Sequence, residues 1–258
     1  MVRRMSDTAG ETTHFGERTV PVPEKARLVR GVFESVAGRY DLMNDLMSGG
    51  IHRLWKDEFV AAVAPRAGER FLDVAGGTGD IALRLLAGAG GAASGAAVIV
   101  CDLTPAMLER GRDRALDDGC LAGLSFVGGD AQRLPLPDRS VDAYTIAFGL
   151  RNVTSPQRAL AEAARVLRPG GRFFCLEFSH VVVPGLDRLY DVYADAVLPW
   201  LGRNVAGDEP AYRYLVESIR RFPRQGDLAQ MMERAGLARA RWRNLSGGIA
   251  AIHSAWRI

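Results

Sequence analysis

The sequence predicts a doubly wound α/β fold with a mostly parallel, seven-stranded sheet. Two observations lead to this prediction. Five apolar runs recur between residues 71 and 178, and the segments between them read as helices, which is typical of a parallel sheet with helices on both faces. Two more strand-like stretches close the chain, Ala238–Asn244 and Ile249–Ile258. Because they are so close in sequence, we expect them to pair as an antiparallel hairpin at one edge of the sheet.

The five apolar runs define the parallel strands, and a helix is expected in each of the four intervals between them. The runs are Phe71–Ala75, Ala97–Cys101, Leu124–Val127, Val141–Phe148 and Phe173–Phe178. Thr104 and Ser155 each precede a proline, the pattern of an N-cap residue followed by proline at the first helical position. The Arg-Pro-Gly-Gly stretch at 168–171 is expected to end the helix that begins after Ser155.

Helices of a different kind are expected at both ends of this alternating region. An N-terminal helix starts near Glu24, with Val29, Val32, Phe33 and Val36 on one face. Beyond residue 180, helices are expected at 186–198, 212–221 and 227–235, the last capped by Gly236. We therefore predict a flexible segment at 1–22 and one domain at 23–258. Within that domain, the helices at 23–65 and 180–235 are expected to cover the substrate site.

Composition excludes several classes of protein. The chain has 258 residues, a length that fits one α/β domain, and 48% of them are hydrophobic, which argues against disorder. The net charge of +3 does not indicate a nucleic-acid partner. Three cysteines and four scattered histidines form no metal motif, so no metal is expected. With no secretory signal and no long apolar run, we expect a cytoplasmic protein that reaches any lipid from the surface of the inner membrane.

The segment from Asp73 to Asp80 is the sharpest sign of a ligand. It follows the first strand, opens the first helix and contains Gly76, Gly77, Thr78 and Gly79, and glycines there let the backbone approach a ligand closely. We place Asp73 near the amine of such a ligand. The spacing alone is weak evidence, since dinucleotide enzymes share it.

Three more strand ends carry residues suited to a nucleoside. Asp102 ends the second strand, where a carboxylate can accept both ribose hydroxyls. Asp130 and Ala131 follow the third strand, where an acidic side chain can read the adenine amino group. Phe148 and Gly149 end the fourth strand. Four successive strand ends of this kind fit S-adenosylmethionine as the cofactor.

Several stretches together resemble the ubiquinone/menaquinone biosynthesis C-methyltransferases, and the resemblance runs from about residue 12 to the end. They are VAGRYDLMNDLMS at 36–48, HRLWK at 52–56, LDVAGGTGDI at 72–81, FGLRNV at 148–153, RVLRPGG at 165–171 with LEFS at 176–179, YRYL at 212–215 with ESIR at 217–220, and NLSGGI at 244–249 with His253. The resemblance implies a class I, Rossmann-like methyltransferase that uses S-adenosylmethionine to methylate a ring carbon of a polyprenyl quinol. The stretch TTHFG at 12–16 resembles the branch that acts in ubiquinone synthesis.

The resemblance also implies which residues contact the cofactor. They are Thr78, Asp102 and the pair Asp130 and Ala131. A fourth contact lies on the strand before Phe148, where the family can have serine; here the residue is Ala147, so a hydroxyl contact is lost and only backbone or packing remains.

Activation of the ring is assigned to Arg151 and Asn152. A ring carbon becomes nucleophilic when a neighbouring hydroxyl loses its proton, and a desolvated arginine stabilises the oxyanion that forms. Asn152 is expected to hold a water that carries the proton away. Tyr40 and Asp41 are assigned to the substrate. The alternative for Arg151 is a salt bridge to Asp41 or Glu177, and the alternative for His180 and His253, as bases, is a structural role.

Other functions stay open at this point. An NAD-dependent oxidoreductase would use the same glycines and Asp102. A scaffold that binds S-adenosylmethionine within a quinone-synthesis complex would keep the same motifs without catalysis. A methyltransferase acting on RNA or protein would need a different substrate face. The ring, benzoquinol or naphthoquinol, the prenyl length and the oligomeric state are not determined. Leu198-Pro-Trp-Leu201 is a candidate for contact with the membrane.

Overall fold

A seven-stranded sheet forms the centre of the protein. The computed structural model describes residues 12–36, 48–120, 122–186, 190, 193 and 209–258. After a short N-terminal hairpin, β1 (Thr12–Phe15) and β2 (Arg18–Pro21), the sheet strands are β3 (Arg70–Val74), β4 (Ala97–Asp102), β5 (Leu124–Gly128), β6 (Val141–Ala147), β7 (Leu167–Phe178), β8 (Leu237–Leu245) and β9 (Ala250–Arg257). Their order is β5-β4-β3-β6-β7-β9-β8, and β9 runs opposite to its neighbours. The predicted fold class is confirmed.

Helices cover both faces of this sheet. They are α1 (Val22–Val36), α2 (His52–Val63), α3 (Asp80–Gly88), α4 (Pro105–Asp117), α5 (Pro156–Val166), α6 (Glu209–Arg221) and α7 (Gln225–Arg234). One apolar cluster joins the sheet to α2, α3, α4 and α6, with Phe59 and Tyr212 fully buried in it. A second cluster joins the other face to α5 and α7 through Leu160 and Met232. Burial on both faces explains why the inner strands read as continuous apolar runs.

The predicted helix caps are only partly confirmed. Ser155 accepts a hydrogen bond from the Arg158 N–H at 3.3 Å and caps α5. Thr104 occupies the N-cap position of α4, but its side chain makes no cap hydrogen bond. Gly236 follows α7 with φ +88°, and its N–H donates to the Glu233 carbonyl, which closes the helix.

The helix expected between β5 and β6 was wrong. Residues 129–140, all of them described, form turns and no helix. Pro135 and Pro137 explain this, because proline lacks the donor that a helix interior needs and clashes with the preceding turn. The Arg-Pro-Gly-Gly stretch lies within β7, which pairs first with Val141, bulges, and pairs again from Arg172.

The described part of the N-terminal segment is a hairpin joined to α1. β1 and β2 pair from Thr12↔Pro21 to Phe15↔Arg18 around a turn at Gly16, whose φ is +57°. Phe15 stacks on Tyr214 of α6, with ring centroids 4.3 Å apart. This segment falls within the 1–22 stretch for which flexibility is predicted, and its hairpin was not anticipated because both strands are mostly polar.

Part of the inserted helical region lies outside the described residues. Of the stripe predicted at 186–198, the structure describes Leu186, Tyr190 and Tyr193, and the two tyrosine rings lie 6.5 Å apart. Residues 198–201 fall outside it. Among the described helices, none has the length and apolar character needed to cross a bilayer.

The strand order reverses between β3 and β6, and a crevice opens there. The chain leaves both strands in the left-handed region, with φ +51° at Ala75 and +55° at Phe148. A residue with a side chain seldom adopts this conformation, and such residues cluster at functional sites. Gly149 packs so closely on Ala75 that an added Cβ would overlap the Ala75 Cβ.

We predict that Gly149→Ala destabilises the protein by about 1–3 kcal/mol, because the new methyl group overpacks against Ala75. Urea unfolding measures the change. Gly128→Ala is the matched control, since nothing lies within 4 Å of its added Cβ, and it should stay within about 0.5 kcal/mol of the parent protein. Adding Ala75→Gly to Gly149→Ala should restore most of the loss. If Gly149→Ala and Gly128→Ala are equally stable, the contact between Gly149 and Ala75 is not tight.

Candidate functional site

Two adjoining clefts open at the carboxyl ends of β3 and β6. The larger cleft has a volume of about 820 Å³ and the smaller one about 430 Å³. Ala75, Gly77 and Phe148 line both, so the clefts meet at the point where the strand order reverses. In an open parallel sheet, ligands bind in this position.

Asp102 is fixed by backbone groups on the floor of the larger cleft. Its Oδ2 accepts from the Gly77 N–H at 2.9 Å, and its Oδ1 accepts from the Thr104 N–H at 2.8 Å. Burial raises the pKa of Asp102, and the two N–H groups oppose that shift. Each oxygen keeps a second lone pair that can accept from a hydroxyl. Asp102 is therefore a rigid acceptor for a diol.

The Asp130 and Ala131 pair lies at the far end of the larger cleft. Asp130 Oδ1 accepts from the Gln132 backbone N–H at 2.9 Å, and the Gln132 side-chain amide contacts both carboxylate oxygens. Gln132 in turn accepts from the Ser155 N–H at 3.0 Å. This chain of hydrogen bonds ties the β5–β6 turn to the start of α5 and fixes the Asp130 side chain.

Helix α1 forms one wall of the larger cleft. Ala26, Val29 and Arg30 line it. Lys25, beside them, is buried and donates from Nζ to the Val153 carbonyl at 3.0 Å, and burial lowers the pKa of Lys25 to about 8. The hydroxyl of Thr13 in β1 donates to the Thr154 carbonyl at 3.3 Å. The hairpin and α1 are thus fastened to the loop that follows β6.

The smaller cleft contains a buried carboxyl group with an unused acceptor. Asp73 accepts from the Thr145 hydroxyl at 2.8 Å through Oδ1, while its buried Oδ2 has no hydrogen-bond partner among the described residues. Burial raises the pKa of Asp73 to about 7. A buried acceptor without a partner costs free energy, and a ligand that donates to it would recover that cost.

Four more residues assigned to the cofactor lie around Asp73. Gly76, Thr78 and Ala147 line the smaller cleft, and Gly77 lines both clefts. A Cβ added at Gly76 would lie 2.8 Å from Asp73 Oδ2 and 2.7 Å from the Val100 side chain, so only glycine fits beside that oxygen. Gly79 lines neither cleft. With φ +76° and an N–H that donates to the Gly76 carbonyl at 2.8 Å, it forms the turn into α3.

The smaller cleft also contains a cation that was not assigned a role from the sequence. Lys56 of α2 lines it, and its Nζ donates to Asp80 Oδ2 at 2.8 Å. Asp80 and Lys56 are 24 residues apart, and the pair forms only when α2 packs beside the first turn of α3. The sequence signal that could have identified Lys56 is its place in the HRLWK stretch at 52–56, one of the stretches that resemble the family.

Arg151 lies behind the clefts and lines neither of them. Its Nη1 donates to Glu177 Oε1 at 2.7 Å and to the Phe148 carbonyl at 2.5 Å. The Arg151 side chain is 4% exposed and that of Glu177 is 1% exposed. The structure therefore contains the salt bridge to Glu177 that the sequence analysis kept as an alternative. Burial raises the pKa of Glu177, although the Arg151 charge opposes the shift.

Asn152 lines the larger cleft, and its amide is oriented from both sides. Its Oδ1 accepts from the Tyr214 hydroxyl at 3.0 Å, and its Nδ2 donates to the Phe148 carbonyl at 3.3 Å. Tyr214 stacks on Phe15 of the hairpin. Tyr214 was missed as a site residue, because it lies 62 residues from its partner and the surrounding stretch reads simply as an amphipathic helix.

The two histidines considered as bases have structural roles in the described fold. His253 is buried in β9 with Nε2 against the Gln225 carbonyl, and burial lowers the pKa of His253 to about 4. His180 Nε2 contacts the Phe222 carbonyl at 2.8 Å. Neither histidine lines either cleft. Tyr40 and Asp41 lie outside the described residues.

Comparison with known families identifies this arrangement. Residues 21–257 match the ubiE/COQ5 methyltransferase family. The chain belongs to this family. The resemblance in the sequence is thus confirmed, and membership decides against an NAD-dependent oxidoreductase. The ubiquinone/menaquinone biosynthesis C-methyltransferase UbiE of Rhodopseudomonas palustris TIE-1 is 56% identical over 252 residues, which is 96% of this chain and 98% of that protein. The UbiE of Acidiphilium cryptum JF-5 is 56% identical over 254 residues, 98% of this chain and all of that protein.

Solved structures support the fold alone. A S-adenosylmethionine-dependent methyltransferase from Thermotoga maritima superposes with a TM-score of 0.61 at 19% identity, over 89% of this chain and 100% of that chain. One from Aquifex aeolicus gives 0.57 at 17% identity, over 79% of this chain and 89% of the other. Among the described residues of this ubiE/COQ5 family member, no group of three or more His, Cys, Asp or Glu side chains could hold a metal ion.

We predict that Asp73→Asn removes a pH-dependent loss of stability. The Asp73 carboxyl titrates near 3.8 when unfolded and at about 7 when folded, so the folded state binds the proton more tightly. The contribution of Asp73 to stability is therefore greatest below pH 4 and is lost as the pH rises through 7. Asparagine keeps an acceptor for Thr145 without the charge. The unfolding free energy of Asp73→Asn is compared with that of the parent protein at the same pH. This difference should rise in favour of the variant by up to about 4 kcal/mol between pH 4 and pH 8.

Denaturant unfolding of the ligand-free protein across this pH range measures the effect. Asp117→Asn, at an exposed position of α4, is the control and should follow the parent protein at every pH. If Asp73→Asn also follows the parent profile, the Asp73 carboxyl is already ionised in the folded protein at neutral pH.

Proposed function

We propose that this protein transfers the methyl group of S-adenosylmethionine to a ring carbon of a polyprenyl hydroquinone in ubiquinone or menaquinone biosynthesis. The observation that carries the proposal is the 56% identity, over nearly the whole of both chains, to proteins named as ubiquinone/menaquinone biosynthesis C-methyltransferases. The 2-methoxy-6-polyprenyl-1,4-benzoquinol and demethylmenaquinol rings are the candidate acceptors. Both are electron-rich rings on an apolar tail.

The two clefts support the assignment of the cofactor. In this proposal Asp102 accepts the ribose hydroxyls, and Asp130 with Ala131 reads the adenine edge. The methionine end lies in the smaller cleft, where Asp73 Oδ2 accepts from its ammonium group. Thr78, Gly76, Gly77 and Ala147 complete the cradle by backbone and packing, and Gly79 acts through the turn. The group fits, because it provides the donor that Asp73 lacks.

When bound, S-adenosylmethionine supplies an electrophilic methyl group. The chain has to make a ring carbon of the quinol nucleophilic and to hold that carbon facing the methyl group. A phenol titrates near 10, so ionising one at neutral pH requires a shift of about 3 pKa units, or about 4 kcal/mol. In our proposal the Arg151 charge, held in a buried position behind Phe148, stabilises the oxyanion that forms. Asn152, on the cleft surface, holds the substrate oxygen or the water that removes its proton.

Excluding water is the second requirement. A direct displacement needs the reacting atoms in line, and such positioning can contribute about 7–11 kcal/mol. Helix α1 forms one wall of the larger cleft. Hydrogen bonds from Lys25 and Thr13 to the carbonyls of residues 153 and 154 hold that wall in place. Tyr40 and Asp41, which follow α1 in the sequence, are proposed to cover the ring and to orient it.

The prenyl tail places the substrate in a membrane. We propose that the enzyme meets it as a peripheral protein at the inner membrane, with the inserted 180–235 region covering the tail, and that it can take part in a quinone-biosynthesis complex. A pure scaffold role is the alternative. It predicts binding of S-adenosylmethionine without methyl transfer.

Quinone profiling tests the proposed reaction. In a bacterial strain that lacks its quinone C-methyltransferase, we expect quinone intermediates one methyl group short. The parent protein should restore the methylated quinones, and Asp102→Ala should not, because ribose binding is lost. Mass spectrometry of lipid extracts measures both. Methyl transfer from labelled S-adenosylmethionine to a demethylated quinol by the purified protein separates the enzyme from a scaffold. Failure of the parent protein in both assays would refute the proposal.

The role of the Arg151 charge requires a variant that does not leave Glu177 unpaired, since a lone buried charge would destabilise the fold. We predict that Arg151→Gln with Glu177→Gln folds and binds S-adenosylhomocysteine normally, yet loses about 100- to 1000-fold in kcat. Glu177→Gln alone keeps the Arg151 charge but removes its buried partner, so it should be less stable than the parent protein and, at temperatures where it is folded, should retain turnover. Calorimetry and steady-state kinetics measure these quantities. Turnover near the parent value in the double variant would assign Arg151 a purely structural role.

A further inference from the structure

The smaller cleft contains both signs of charge, each with hydrogen-bonding capacity that the fold leaves unused. Asp73 presents the buried Oδ2, for which the described part of the chain provides no partner. Lys56 presents an ammonium group with three donors, and among the described residues it donates to one acceptor, Asp80. Both side chains line this cleft. A ligand with an anion and a cation on neighbouring atoms would satisfy both.

The Lys56 charge is more than the fold needs at that point. Asp80 also accepts from Arg84 Nε at 3.1 Å and lies 3.6 Å from Arg114 Nη2. Although burial alone would raise the pKa of Asp80, Lys56 and Arg84 hold it below its ordinary value. Three cations therefore surround one carboxylate, and Arg84 and Arg114 would still neutralise Asp80 if Lys56 paired with something else.

The position of Lys56 is also unusual for a lysine. Lysine is seldom buried unless it is paired, and the Lys56 side chain, paired with Asp80, is 8% exposed. A pair whose only task was to join α2 to α3 could lie on the surface, as Arg84 and Asp57 do in linking the same two helices. Lys56 instead extends into the cleft beside Gly76 and Thr78.

We propose that Lys56 binds the carboxylate of the methionine moiety of S-adenosylmethionine, opposite Asp73, so that the smaller cleft recognises an α-amino acid zwitterion. This inference rests on the proposed use of that cofactor. Lys56 then selects for the intact amino acid, and the cleft discriminates against adenosine thioethers that lack the carboxylate. The Lys56–Asp80 pair fixes the ammonium group in place before the ligand arrives.

Three ligands and three variants test this by isothermal calorimetry. The ligands are S-adenosylhomocysteine, its decarboxylated analogue and 5′-methylthioadenosine, which lacks the whole amino acid. The variants are Lys56→Met, Lys56→Arg and the control Arg84→Met, which removes another partner of Asp80 outside the cleft. Lys56→Met should weaken S-adenosylhomocysteine by about 10- to 100-fold, the range of a charge-assisted hydrogen bond, and change the other two ligands by less than about 3-fold. Lys56→Arg should restore part of the loss, and Arg84→Met should leave the selectivity unchanged.

The outcomes separate this inference from the proposed function. If the parent protein does not bind S-adenosylhomocysteine, the proposed cofactor is wrong. If it binds, but Lys56→Met weakens all three ligands equally, or Arg84→Met reproduces its selectivity, then Lys56 acts only through the fold. The parent protein gives a test even if Lys56→Met does not fold. Equal affinity for S-adenosylhomocysteine and its decarboxylated analogue would overturn the inference.

Discussion

Close packing at the ends of β3 and β6 determines where this protein can hold a ligand. Ala75 and Phe148 turn out of their strands with positive φ, and Gly149 lies against Ala75 so tightly that no side chain fits there. The two strand ends diverge from this contact, and both clefts share residues at it. Strained backbone of this kind persists only when its surroundings enforce it. Here the fully buried strands of a doubly wound sheet enforce it, so stability and the geometry of the site have a common origin.

Charge is distributed unevenly over the two clefts. In the larger cleft Asp102 and Asp130 are held by backbone N–H groups and an amide, and they offer acceptors to neutral hydroxyl and amino groups. In the smaller cleft Asp73 and Lys56 offer ionic partners. A ligand with a neutral nucleoside at one end and a charged amino acid at the other matches this division. The match is chemical, and it supports the cofactor assignment independently of the family's name.

The sequence predicted the fold and the nucleoside half of the site better than the rest, because those features are local. Asp102 and Asp130 could be placed from the strand that precedes each of them. Lys56 could not, since it acquires its role from a partner 24 residues away, and for Arg151 the sequence offered a salt bridge to Asp41 or Glu177 only as an alternative. The alternation of strands and helices was also assumed where it does not hold. A helix was expected between β5 and β6, although the prolines of that segment exclude one. The polar hairpin at 12–21 gave no apolar alternation to read: Val20 is its buried hydrophobic side chain, and Phe15 packs on Tyr214 of α6.

The wall of the larger cleft and the residues assigned to catalysis form one connected structure. Phe15 stacks on Tyr214, the Tyr214 hydroxyl donates to Asn152, and Asn152 shares the Phe148 carbonyl with Arg151. If the hairpin and α1 move to admit the ligands, the stack that orients the Tyr214 ring is lost, and with it one of the two hydrogen bonds on the Asn152 amide. The Arg151–Glu177 pair is buried, and its hydrogen bonds within the described residues go to each other and to backbone groups such as the Phe148 carbonyl, not to the hairpin, so it keeps its geometry. In the proposed reaction, closing the wall would complete the orientation of Asn152 while the Arg151 charge stays fixed, which would couple ring activation to the exclusion of water.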